Sequence, residues 1–392
     1  MTAAYVYAAI RTPFGKLGGG LAQIRPDDLA ATVLTGLLAK TPGLDPGAID
    51  EVVWGNANGA GEENRNVGRM AVLLAGLPTS VPGSTVNRLC ASGLDAVIGA
   101  ARAIAVGEAD LVVAGGVESM TRAPWVVPKP SRAFPAGDAG MVSTTLGWRL
   151  VNPAMPEQWT VSLGEGAEIL ADEFDIDREA QDDFAVRSHH LAAKAWADGA
   201  YDAQVVTPED VQLDIDEGVR PDASVESLAA LKPVFRTDGT VTAGNASPLS
   251  DGAAAVLLAS VDLVDELGLE PLARVRASGS AAVEPQRFGI APVEATTRAL
   301  ARAGRSWADV DTVELNEAFS AQVLACLASW PELDPERVNP DGGAVAIGHP
   351  LGCSGARLTG AVAHRLARTG GSVGVASLCI GVGQGLTLVL ER

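Results

Sequence analysis

The sequence predicts an α/β fold made of two duplicated halves with a loop domain inserted between them. Three observations point there. Residues 92–116, SGLDAVIGAARAIAVGEADLVVAGG, align without gaps on residues 354–378, SGARLTGAVAHRLARTGGSVGVASL, with six identical positions that include the opening Ser-Gly. Upstream, IDEVVWG at 49–55 matches VDTVELN at 310–316, in the same order and at nearly the same offset. Between the halves, residues 119–245 change character, with many prolines, dense charge and four of the seven tryptophans.

The elements follow in order. MTAAYVYAAIRTPFG reads as a first strand and not a secretion signal, because it lacks a basic start and turns polar at Arg11. Helical stretches that begin near Pro26 and Pro292 precede the two matched strands. The repeat itself reads as a helix from Ser-Gly and then a buried apolar strand, so each half is α-β-α-β with its sheet covered on both faces. Within the insertion, DREAQDDFAVRSHHLAAKAWADG at 177–199 is a charged helix. DGAAAVLLAS at 251–260 is a buried strand that returns to the first half. The expected domains are 1–118 with 246–268, the loop domain 119–245, and 269–392.

Composition narrows the function. The 392 residues are 47% hydrophobic and carry a formal net charge of −19. That charge disfavours nucleic acid and anionic membranes as partners. No run of about 18 apolar residues is evident, so no membrane-spanning helix is expected. Four cysteines do not make a disulfide scaffold and fit reduced thiols in a cytoplasm. The CxxC and HExxH patterns of metal sites are absent.

Four groups carry chemistry. Cys90, in VNRLCASGLDAV, stands at the start of the helix marked by Ser92 and Gly93. Free N–H groups and positive potential there favour a thiolate and are expected to lower the thiol by one or more units from ~8.5. A buried structural cysteine is the competing reading. His349, in NPDGGAVAIGHPLGCSGAR, sits between Gly348 and Pro350 just before the duplicated helix, in the loop that answers to the one holding Cys90. That position suits a base. Asn316, in ELNEAFSA, ends the duplicated strand; it either fixes a water or oxyanion, or caps the helix that follows. Cys379, in SLCIGVGQG, ends the last repeated strand. Its alternating glycines are not a dinucleotide loop, since a strand and not a helix follows them. Sites in doubly wound sheets collect beyond the carboxyl ends of strands, where all four groups fall. Cys326 reads as core, Cys353 as packing at a helix start, and His189-His190 as a solvated face.

NRLCASGLDAV, NEAF, GGAVAIGHPLGCSGAR and CIGVGQG together resemble the thiolases, the acetyl-CoA C-acyltransferases, and the resemblance runs over essentially the whole chain. It implies a thiolase fold of α-β-α-β-α layers with a loop domain, usually a tetramer built from dimers. It implies Cys90 as the acylated nucleophile, His349 as its activator, and Cys379 as the acid/base for the α-proton of acetyl-CoA. Asn316 would hold a water in one oxyanion hole with His349, and the N–H groups of Cys90 and Gly381 would form the other. The glycines after Cys379 leave room for a thioester oxygen to reach a backbone N–H. Coenzyme A or acetyl-CoA is a substrate, with no tightly bound cofactor. RPDASVESLAALKPVF and VTAGNASPLSDGAAA resemble the coenzyme A cradle and suggest Arg220, Ser227, Leu231, Phe235, Ala243 and Ser247 as contacts, with Phe319 near the thioester and Leu163 as a further substrate contact.

Substrate choice rests on finer features. Many members that favour acetoacetyl-CoA have His-Met where this chain has Ser162-Leu163, and Gly and Asn where it has Pro248 and Ser250. GEENRNVGRMAVLLAGLP and TTLGWRLVNPAMP resemble the 3-oxoadipyl-CoA thiolases. Arg65 and Arg149 are then the candidates to meet a distal carboxylate, unless they are structural. Acetoacetyl-CoA and general fatty-acid 3-ketoacyl-CoA thiolases are the alternatives. A β-ketoacyl synthase would need a second histidine, and neither His189-His190 nor His364 sits in a suitable loop. A non-catalytic acyl-CoA-binding relative would not need all four reactive positions filled.

Overall fold

Apolar runs that alternate in side but not in polarity become strands covered on both faces. The computed structural model describes residues 2–209, 211–263, 266, 268 and 270–392. Its strands are β1 (Ala4–Arg11), β2 (Gly15–Lys16), β3 (Glu51–Gly55), β4 (Gly83–Val86), β5 (Leu111–Ser119), β6 (Trp125–Val126), β7 (Val142–Ser143), β8 (Ser250–Ser260), β9 (Ala273–Ala282), β10 (Thr312–Leu315), β11 (Val373–Ile380) and β12 (Gln384–Glu391). Its helices are α1 (Pro26–Lys40), α2 (Val67–Leu74), α3 (Ser92–Val106), α4 (Leu163–Glu173), α5 (Arg178–Ala197), α6 (Val225–Ala229), α7 (Ala291–Ala303), α8 (Ser320–Ala328), α9 (Ala344–Ile347) and α10 (Leu351–Thr369). The expected domain boundary at 268/269 falls beside residues 267 and 269, which lie outside the described residues.

The main sheet runs β10-β11-β12-β9-β1-β8-β5-β3-β4. Its halves meet through a short antiparallel pairing of β1 with β9, Tyr5 opposite Arg274 and Val6 opposite Ala273. In each half a parallel core, β4-β3-β5 or β10-β11, is joined to an antiparallel strand, β8 or β12. Alternation within a strand assigns its two faces. Val112 and Ala114 of β5 turn inward with α3 and α10, while Leu111 and Val113 turn outward with α1 and α2. On the other half, Ala376 and Leu378 face α3 and α10, while Val373 and Val375 face α7 and α8. The result is five layers with α3 and α10 in the centre.

The central pair explains the duplicated Ser-Gly. A Cβ on Gly93 would stand 2.7 Å from the carbonyl oxygen of Gly352, and a Cβ on Gly355 would stand 2.2 Å from the backbone nitrogen of Leu94. The two glycines let the helix starts touch backbone to backbone, each half repeating the other's contact. The turn before α3 and α3 itself, Leu89–Val106, do form a window of mean hydropathy 1.6 that is long and apolar enough to cross a membrane, which the sequence reading overlooked. That window is 61% buried inside the molecule, so its apolar character serves the central layer.

Candidate active site

Cys90 lies in a single 3-10 turn, Leu89–Ala91, that runs directly into α3. Ser92 ties this turn down: its hydroxyl accepts from the Arg88 N–H at 2.9 Å and donates to the Leu89 carbonyl at 2.7 Å. Leu89 pays a backbone cost for the turn, at φ 50°. Cys90 is 8% exposed. Burial pushes its thiol up to about 11, and the Glu118 carboxylate adds to the rise. The N–H groups of Gly381 and of Cys90 itself pull the other way but do not win. The expectation of a lowered thiol is therefore corrected: desolvation outweighs the helix start, and Cys90 rests as a thiol that must hand on its proton. The same two N–H groups both reach the Cys90 sulfur.

His349 follows α9 and precedes α10, in a turn that Gly348 makes possible at φ 108°. A Cβ at Gly348 would lie 2.5 Å from the Ser250 hydroxyl, which instead accepts the His349 N–H at 3.1 Å. The imidazole Nδ1 is 2.6 Å from Ser354 Oγ, and Ser354 Oγ is 3.1 Å from the Pro350 carbonyl. With the hydroxyl donating to that carbonyl, Nδ1–H donates to Ser354, and Nε2 keeps its lone pair. Asn316 Nδ2 lies 3.4 Å from Nε2 and donates to it. Burial, with Arg357 nearby, drives the imidazole down to about 3, so the ring rests neutral with an unprotonated Nε2. Asn316 is fully buried directly after β10, and its Oδ1 has no hydrogen-bond partner among the described residues. It is not a helix cap, because the residue that caps α8 is Phe319.

Cys379 ends β11 with its thiol buried, and burial together with the Cys90 sulfur raises it well above the ordinary thiol range. Two thiols that share one site cannot both ionise cheaply. Cys90, His349, Cys379 and Gly381 all line one cavity of about 390 Å³. Its walls include Met120, Leu146, Trp148, Leu163, Phe288 and Leu351, and among the described residues no Asp, Glu, Lys or Arg lines it. A cavity with mostly apolar walls that holds two thiols and a neutral imidazole suits covalent acyl transfer coupled to removal of a carbon-bound proton.

The expected cradle residues divide into two groups. Leu163, Phe235, Ser247 and Phe319 line the cavity. Phe235 and Phe288 both meet Phe319 edge to face, with centroids 6.3 and 6.5 Å from its ring. Gly164 is needed there, since a Cβ would fall 2.1 Å from the Phe235 ring. Arg220, Ser227, Leu231 and Ala243 are exposed and do not line the cavity. Ser227 spends its hydroxyl in the capping box of α6 with Ser224. Arg149 is next to the Trp148 wall, its guanidinium donating to the Thr144 carbonyl at 3.2 Å and to Asn58 Oδ1 at 3.3 Å. Arg65 is exposed and is not part of this wall; it stands in the turn before α2 at φ 66°. His189 corrects another expectation: it is 5% exposed, because α5 packs that face inward, and its Nδ1 accepts the Arg220 N–H at 3.2 Å.

Sequence reasoning missed Ser354, Glu118 and the Leu146–Trp148 wall. Ser354 was within reach, because the repeat aligns it with Ser92 and both serines tether the turn before their helix. Glu118 offered no signal beyond a carboxylate at the end of an apolar run.

Residues 4–262 match the family model of the thiolase N-terminal domain, and residues 269–392 match that of the thiolase C-terminal domain. The chain is 51% identical over 402 residues to the 3-oxoadipyl-CoA/3-oxo-5,6-dehydrosuberyl-CoA thiolase of Escherichia coli (strain K12), covering 100% of both. It is also 51% identical to the beta-ketoadipyl-CoA thiolase of Pseudomonas knackmussii, over 99% of this chain and 98% of that one. Among solved structures, an acetyl-CoA acetyltransferase of Bacillus anthracis matches with a TM-score of 0.92 at 40% identity, covering 100% of this chain and 99% of that one. A human mitochondrial 3-ketoacyl-CoA thiolase in complex with CoA matches with a TM-score of 0.93 at 36% identity, covering 100% and 98%.

Proposed function

Because the chain belongs to the thiolase family, we propose that it cleaves 3-oxoadipyl-CoA with coenzyme A to acetyl-CoA and succinyl-CoA, or runs the reverse condensation. The observation that carries the chemistry is the shared cavity of Cys90, His349 and Cys379. Cys90 Sγ attacks the C3 ketone while His349 Nε2 takes its proton, so a free thiolate never has to accumulate. The C2–C3 bond then breaks, and its electrons pass to the enolate of acetyl-CoA. Asn316 and His349 stabilise that enolate, through a water on the unpaired Asn316 Oδ1. Cys379 delivers the proton to the α-carbon. Coenzyme A then gives its thiol proton to the Cys379 thiolate and attacks the succinyl-Cys90 thioester, whose oxygen is held by the N–H groups of Cys90 and Gly381; the C–S bond to Cys90 breaks, and Cys90 takes back the proton held by His349. Phe235, Phe319, Ser247 and Leu163 guide the pantetheine arm, with Arg220, Ser227, Leu231 and Ala243 at the outer rim.

The substrate assignment draws support from the 51% identity to thiolases named for 3-oxoadipyl-CoA and beta-ketoadipyl-CoA. Arg149, beside the cavity wall, is the residue we assign to the distal carboxylate. One observation favours a second reading, a thiolase for uncharged 3-oxoacyl chains: no ionic side chain lines the cavity itself. A panel of 3-oxoacyl-CoA esters, read by thiolytic release of acetyl-CoA, separates the two. The highest kcat/KM is expected for 3-oxoadipyl-CoA, and preference for uncharged chains rejects that substrate while keeping the reaction. A cytoplasmic homotetramer fits the free cysteines and the exposed apolar side chains between β5 and α4, such as Phe134 at 93% exposure and Trp125 at 64%.

A further inference from the structure

Two buried carboxylates outside the reacting set grip the His349 turn from opposite ends. Glu118, at the end of β5, is 2% exposed. Its Oε2 accepts the N–H of Ala57 at 2.9 Å and of Gly352 at 2.8 Å, and its Oε1 accepts the N–H of Asn58 at 3.1 Å. Glu317, just after β10, is 0% exposed. Its Oε2 accepts the N–H of Val345 at 3.0 Å and the hydroxyl of Ser188 at 2.6 Å, and its Oε1 accepts Asn339 Nδ2 at 2.8 Å. Val345 lies four residues before His349 and Gly352 three after it.

The Gly352 peptide is confined on every side. Its N–H is held by Glu118, while a Cβ on Gly93 or Gly116 would come 2.7 or 2.0 Å from its carbonyl oxygen. A Cβ on Gly352 itself would meet Asn56 Cα at 2.7 Å. Gly352 therefore sets the start of α10, just after His349, against the start of α3, just after Cys90.

We propose that Glu118, with Glu317 opposite it, is a positioning residue that locks the His349 turn in register with Cys90 and so sets the rate of proton transfer between them. The inference rests on the reading of His349 as the proton acceptor of Cys90. All the partners given for Glu118 above are donors, so both oxygens must act as acceptors. Glutamine cannot reproduce this: whichever way its amide turns, an NH₂ faces a backbone N–H. Burial raises the Glu118 carboxyl to about 7, so the assay is run above that pH, where electrostatics alone has the opposite sign, because removing the Glu118 charge eases ionisation of the Cys90 thiol.

The test is the rate of Cys90 acetylation by acetyl-CoA, followed by intact mass, for Glu118→Gln in the native and the His349→Ala backgrounds. With His349 present, Glu118→Gln is expected to slow acylation about 10- to 100-fold, the scale of a small misplacement of a catalytic group. Without His349, it should change the rate less than about twofold, since neighbours in one network are not additive. Equal losses in both backgrounds, no loss, or faster acylation with His349 present would overturn the proposal. A His349→Ala change that leaves acylation unaltered would instead overturn the role of His349. If Glu118→Gln does not fold, Glu317→Gln carries the same comparison from the other end of the turn.

Discussion

Ser354→Ala isolates the role of the imidazole tautomer. Among the described residues, the Ser354 hydroxyl is the one hydrogen-bond partner of His349 Nδ1, at 2.6 Å, within a buried site. Removing it leaves Nδ1–H without an acceptor, and a buried donor left unpaired costs about 1–3 kcal/mol. The ring can escape that cost by moving its proton to Nε2, which abolishes the lone pair that takes the Cys90 proton. Either way the catalytic tautomer is disfavoured by about the same energy. At about 1.4 kcal/mol per factor of ten, acylation of Cys90 should slow roughly 5- to 150-fold. Single-turnover acetylation from acetyl-CoA, followed by intact mass, measures this step alone. Thermal melting run alongside it reports whether the fold survives. A folded Ser354→Ala protein that acylates within about twofold of the native rate would refute the tautomer argument.

Three other outcomes are expected. Cys379→Ser should still acylate at Cys90 but lose exchange of the acetyl-CoA α-protons by about 10²–10⁴, as expected for one positioned acid/base group, and normal exchange would reassign Cys379. His349 is held neutral, at about 3 when folded against 6.5 when free, so the unfolded chain gains its proton first as pH falls. Its stabilising contribution is full above 6.5 and is lost as pH drops toward 3. At pH 5 that loss is about 2 kcal/mol, so the stability gap between native protein and His349→Asn should shift by that amount between pH 7.5 and pH 5 in denaturant titrations. A constant gap would mean the folded imidazole titrates as it does in the unfolded chain, and a gap that moves the other way would mean it is held charged. Arg149→Leu should lower kcat/KM about 10- to 100-fold for 3-oxoadipyl-CoA while sparing acetoacetyl-CoA, and equal losses would make Arg149 structural.

Much of this architecture was legible because its carriers are local. The Ser-Gly doublet recurs where the two central helices touch, so a steric need at Gly93 and Gly355 left a mark in the sequence. Strand ends are also local, which is why Cys90, Asn316, His349 and Cys379 were found together. What stayed hidden depends on burial, which sequence spacing does not report. The Cys90 thiol is raised because desolvation overcomes the N–H groups around it. His189 looked solvated on a charged helix, yet that face packs inward. Arg65 and Arg149 were equivalent as cations in sequence, and in the structure both are exposed and neither lines the cavity, Arg149 only following the wall residue Trp148 in the chain. Glu118 acts through peptides on both halves, a partnership that no local pattern encodes.

The most direct measurement mixes the enzyme with 3-oxoadipyl-CoA alone, without coenzyme A, then quenches it and maps the adduct by peptide mass. The expected result is a succinyl group on Cys90 with release of acetyl-CoA. A succinyl group on Cys379, or release of acetyl-CoA with Cys90 unmodified, would contradict the assignment of the two thiols on which the mechanism stands.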